Sequence, residues 1–147
     1  MALNVAEALK LLNERCTDDN AYVFSLHTEG VVEIDKPIEY ACIGIKIMNV
    51  SNIRIISERH ERRKQTQAVV ISIDSNELDY FNPLTVSQLK NVLASIKDKS
   101  ILVCATRNPL TKGWLPNVID VSHHTDVDQK NESLRKHFGN NILHLFV

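Results

Sequence analysis

Apolar residues at the start of the chain recur at helical spacing. Val5, Ala8, Leu9, Leu12 and Cys16 fall on one stripe, which predicts an amphipathic helix with that stripe turned inward. Asn4 with Glu7 three residues later forms a capping pair for its first turn, and the polar run Asp18-Asp19-Asn20 ends it. The period then changes to two. Ala21 to His27 and Val31 to Asp35 flank Thr28-Glu29-Gly30, a short loop suited to a hairpin. After Pro37, the segment Glu39 to Met48 sets Ile43, Ile45 and Ile47 against Gly44 and Lys46, the alternation of a strand with one buried face. Ile53 to Glu58 resumes that pattern beyond the turn at 49–52. The polar stretch 59–67 then leads to Ala68-Val69-Val70-Ile71-Ser72-Ile73, which is apolar on both faces and reads as a central strand.

The second half alternates strands with helices. Val86, Leu89, Val92, Leu93 and Ile96 mark a helix, capped by Thr85 with Gln88 and followed by Lys97 and Lys99, whose charge suits the negative end of its dipole. Ser100 to Ala105 is another two-faced apolar strand. Pro109, Gly113 and Pro116 punctuate an irregular stretch before Val118-Ile119-Asp120-Val121. Thr125 with Asp128 caps a third helix, with Val127, Leu134 and Phe138 on its stripe and Gly139 at its end. Ile142 to Val147 closes the chain as a buried strand.

The order is helix, strand meander, then two β-α-β units: a mixed-sheet α+β or α/β fold in a single domain spanning 1–147. Strand 68–73 should run parallel to 100–105 across a helix-length crossover, and strand 118–121 parallel to 142–147.

Composition narrows the classes. A chain of 147 residues with 44% hydrophobic and 24% charged residues can bury a core without a metal or disulfide staple. The net charge of −1 gives no overall field toward nucleic acid or an anionic membrane. No apolar run approaches the ~20 residues of a membrane span, and the first residues lack the pattern of a signal peptide. Cys16, Cys42 and Cys104 are odd in number and widely spaced, which points to reduced thiols and a cytoplasmic location.

Phosphate-cradling glycine loops, paired-cysteine zinc patterns, H-E-x-x-H and the G-x-S-x-G elbow are missing from the sequence, so no cofactor is expected. The densest chemical cluster is Ser122-His123-His124-Thr125-Asp126-Val127-Asp128. In a parallel sheet ligands bind beyond the carboxyl ends of the strands. On the expected topology His123 and His124 would follow one such strand, Asp74 another and Arg107 a third. These four residues could form a catalytic cleft, and His123 with Asp126 a weak metal site. Asp126 and Asp128 also have a plain role at a helix start, and Asp74 and Arg107 one in turns. Two segments suit a partner. Arg62, Arg63 and Lys64 belong to the one basic cluster, and Trp114 lies in a Pro/Gly-rich loop where it would either anchor an interface or plug the core.

The sequence reading is a small cytosolic binding or regulatory module for a protein partner. A small hydrolase acting on a phosphorylated or nucleotide-like substrate near His123 is the alternative. Weak nucleic-acid binding through the basic loop ranks third, since no aromatic is interleaved there for base stacking.

Overall fold

The computed structural model describes residues 2–27, 38–51, 55–56, 59–60, 65–74, 83–106, 117–124 and 141–147. Helix α1 spans Val5–Arg15 and helix α2 Val86–Ser95. Both begin with the reciprocal caps that the sequence announces. Asn4 Oδ1 accepts the Glu7 amide at 2.8 Å while the Glu7 carboxylate accepts the Asn4 amide at 3.2 Å. Thr85 and Gln88 repeat the exchange at 3.3 and 3.0 Å. Each cap satisfies amides that the first helical turn leaves without a partner. At the far end of α2, Lys99 Nζ donates to the carbonyls of Leu93 (3.1 Å), Ala94 (2.8 Å) and Ile96, placing its charge at the negative pole of the helix.

The strands are β1 (Tyr22–His27), β2 (Ile38–Ser51), β3 (Ile55–Ile56), β4 (Arg59–His60), β5 (Gln65–Asp74), β6 (Leu102–Thr106), β7 (Asp120–His124) and β8 (Ile142–Phe146). Six of them form one mixed sheet in the order β6-β5-β2-β1-β8-β7, and β3 pairs with β4 in the connection from β2 to β5. With α1 and α2 on this sheet the fold is α+β. β5 is flanked on both sides, as its two-faced sequence requires. Val69, Ile71 and Ile73 join the helices in the main core, while Ala68 and Val70 pack with Cys104 on the opposite face. Leu12, Phe24, Ile71, Leu89 and Leu93 are fully buried, each worth roughly 1.5–3 kcal/mol of transfer free energy before the entropy of ordering is set against it.

β5 and β6 are parallel, with Ala68 opposite Leu102 and Ser72 opposite Thr106. The last pair differs from expectation. β7 and β8 are antiparallel, with Asp120 opposite Phe146 and His124 opposite Ile142, so this connection is not a second parallel β-α-β unit. The parallel partner of β8 is β1, the first strand of the chain. The expected strand 31–35 and the expected helix 125–138 lie outside the described residues. Within them, β1 pairs with β2 instead, His27 facing Ile38.

A second difference lies inside β2. The register against β5 shifts between Cys42 and Gly44, the mark of a β-bulge. Ile43 accordingly packs with Phe24, Ala41 and Ile142 on one face, and Ile45 packs into the helix-side core. The isoleucines at 43 and 45 alternate in sequence yet face opposite sides, because one extra residue inverts the parity of everything after it.

The sheet is tied across its ends. Leu3 donates to Val118 O (2.8 Å) and accepts from Val103 (3.0 Å). Val118 donates to Val103 O (2.8 Å) and Ile119 to Phe146 O (2.8 Å). The residues before β7 therefore join β6 to β8, and α1 contacts both β6 and β7.

Candidate functional site

His123 is not in a loop beyond a strand; it and His124 are the last two residues of β7, opposite Leu143 and Ile142. The half-buried His123 ring lies with Nε2 2.6 Å from Asn141 Oδ1, and Asn141 Nδ2 donates to Asp18 Oδ2 at 2.6 Å. Since the Asn141 amide nitrogen serves Asp18, its oxygen must accept, which assigns a proton to His123 Nε2. This polar chain joins the end of β7 and the start of β8 to the turn after α1. Around it, Arg15 reaches the Asp120 carboxylate and the Val121 carbonyl (2.8 Å), and Lys90 pairs with Asp19 at 2.7 Å. The arrangement orients one imidazole and pins α1 and α2 to the sheet.

The residues expected to share a cleft with His123 are not beside it. Asp74 ends β5 and stands opposite Ala41, which pairs with Phe24, then His144, then Ser122. The row from Asp74 to Ser122 thus crosses β2, β1 and β8, a separation of roughly 19 Å along the sheet at ~4.8 Å per strand. β7 also runs opposite to β5 and β6. Arg107, Asp126, Trp114, Arg62, Arg63 and Lys64 lie outside the described residues, as do the side chains of Asp74 and His124. Among the described residues no three His, Cys, Asp or Glu side chains form a group that could hold a metal ion.

One buried polar pair has no signal in the local sequence. His144, only 4% exposed, lies in hydrogen-bond contact with Glu39 across the face of β1. The three cysteines are free and buried. Burial raises the thiol pKa of each, pushing Cys104 up to about 11, so none is an activated nucleophile. Cys16 donates instead to Asp18 O at 3.3 Å, and Cys104 to Asn117 Oδ1 at 3.3 Å.

Among the described residues, two surface features are concave or lack a strand partner. A cleft of about 470 Å³ lies along the starts of β5 and β6, lined by Gln67, Ala68, Asp98, Ser100, Ile101, Leu102 and Cys104. Ser100 donates to the exposed Asp98 carboxylate, through its hydroxyl first and its amide second, and holds the carboxyl below its ordinary range. The second feature is β2 itself. β1 covers one edge of β2 only from Ile38 to Ala41, and Leu84 donates to Cys42 O just beyond. From Gly44 to Ser51 no strand among the described residues pairs with that edge, whereas β5 pairs with the other throughout. Lys46 and Asn49 are exposed along it, and Ile47 is 48% exposed.

No family model, curated protein or solved structure matches the chain.

Proposed function

We propose that this chain is a small cytosolic binding or regulatory module that engages a protein partner, with β2 carrying the contact. The observation behind this reading is Ile47, a large apolar side chain 48% exposed on β2, beside an edge that no strand among the described residues pairs with from Gly44 to Ser51. An unpaired strand edge presents a row of amide and carbonyl groups that seek a partner, and sheets ordinarily blunt or cover such edges. Ile47 sits beside it and adds apolar area at a position where burial in the isolated chain yields little. Three buried, unpaired thiols suit a reducing compartment. Among the described residues no helix is long and apolar enough to cross a membrane.

Site-directed photo-crosslinking tests the reading. A photoreactive residue at position 47 is expected to capture a discrete protein in cells, and one at exposed Asn91 on α2 is not. The captured protein, purified, should bind the wild-type chain in solution and bind Ile47→Lys at least about tenfold more weakly, a loss of about 1.4 kcal/mol. Equal capture from both positions, or no binding by the purified protein, would overturn it.

A further inference from the structure

We propose that the cleft along the starts of β5 and β6 binds a small molecule that carries an ammonium group on a short apolar body. The site is distinct from the contact at Ile47. Its volume of about 470 Å³ falls within the roughly 300–1,000 Å³ of small-molecule sites. Two kinds of surface line it. Ala68 on β5 with Leu102 and Cys104 on β6 supply an apolar floor, which Ile101 extends. Gln67, Asp98 and Ser100 are exposed and supply a polar rim.

Both surfaces are held from outside the cleft. The β5–β6 ladder sets Ala68 opposite Leu102, and Ala68 packs with Val70 and Cys104. The turn from α2 to β6 takes two amides from the first turn of α1. Val5 donates to Ile101 O at 2.9 Å and Ala6 to Lys99 O at 3.1 Å. Those amides have no partner within their own helix, so the start of α1 anchors the residues on both sides of Ser100. A ligand entering a cleft held in this way meets little cost of ordering.

Charge selects the ligand. Asp98 is the one charged residue that lines the cleft. Its Oδ1 accepts the Ser100 hydroxyl and, at 3.0 Å, the Ser100 amide, and these bonds hold the carboxyl below its ordinary range. The other carboxylate oxygen takes no donor from the described residues. Lys99 does not neutralise it, because its ammonium is turned to the carbonyls of Leu93, Ala94 and Ile96. An ammonium donor therefore finds a charged acceptor at the rim, and an apolar body behind it finds the floor. A lysine side chain of another protein offers the same ammonium, but it ends in polar backbone where a free amine continues as hydrocarbon.

Hexylammonium is the probe. Hexanol, hexanoate and a lysine blocked at its α-amine and carboxyl are the comparisons. Each is titrated into the low millimolar range while backbone amide shifts are followed by NMR on the intact chain. Hexylammonium should shift the amides of Ala68, Ser100, Ile101 and Leu102 saturably, with a Kd of roughly millimolar order. Hexanoate should shift none of them, and hexanol and the blocked lysine should each bind at least about threefold more weakly. Asp98→Asn keeps an acceptor for Ser100 and removes the charge, so it should weaken hexylammonium about threefold. Glu14→Gln removes another exposed carboxylate, on α1, and should leave binding unchanged. The absence of saturable shifts at these amides, equal binding of any comparison compound, or equal losses in the two variants would overturn the proposal. Capture at position 47 is a separate readout, so the β2 reading stands or falls independently of this cleft.

Discussion

Ile71 and Ile47 allow a controlled comparison, because both are isoleucines on paired, central strands and differ in surroundings. Ile71 is fully buried opposite Ile45, in the core shared with α1 and α2. Ile47 lies two residues further along β2, opposite Val69, and is 48% exposed. Replacing Ile71 by Ala removes apolar contact and leaves a cavity that its neighbours fill only in part, a cost of about 2–5 kcal/mol. Ile47→Ala gives up roughly half of a full burial and opens no closed cavity, so about 0.5–1 kcal/mol is expected. Urea unfolding at equilibrium, fitted with a common slope, measures both losses. Binding should rank them in reverse: Ile47→Ala weakens the partner, and Ile71→Ala leaves the affinity of the folded fraction nearly unchanged. Comparable stability losses for the two variants would refute the reasoning, since they would mean that Ile47 is packed in solution.

Thr85→Ala should cost about 0.5–2 kcal/mol by breaking the cap of α2, and Thr85→Ser should recover most of it, read by the same urea midpoints. Asn141→Ala cuts both bonds of the polar chain and should cost about 1–3 kcal/mol, with the His123 ring signals in NMR changing environment. The raised pKa of Cys104 makes the unfolded thiol ionise first. Stability contributed by the protonated thiol is complete below pH 9 and should be lost as pH rises toward 11, with a flatter decline in Cys104→Ala. A bulky thiol reagent should label none of the three cysteines rapidly in the native protein.

What could be read in the sequence is what short-range chemistry encodes. The two capping boxes, the two-faced run 68–73 and the parallel pairing of β5 with β6 each follow from residues close together in the chain. The bulge at Cys42–Gly44 could not be read, because Ile43, Gly44 and Ile45 satisfy a regular alternation equally well. The direction of β7 escaped for a related reason. A segment of suitable length between two strands is compatible with a parallel crossover, and only the placement of β8 between β1 and β7 decides otherwise. His123 stands out in the sequence for its chemistry, but its partners Asn141 and Asp18 come from distant segments, and nothing local to His123 announces them. That β1 pairs with β2 only from Ile38 to Ala41 is equally hidden, because pairing over that distance has no local signature.

Between Gly44 and Ser51, β2 is bonded to β5 along one edge and to no strand among the described residues along the other. In an antiparallel pair, successive residues point their amides alternately toward the partner strand and away from it. Amide hydrogen exchange measured on the free chain should therefore alternate along this segment, with every second amide protected by β5 and those between exchanging freely. Uniform protection along Gly44 to Ser51 in the absence of any partner would contradict the account.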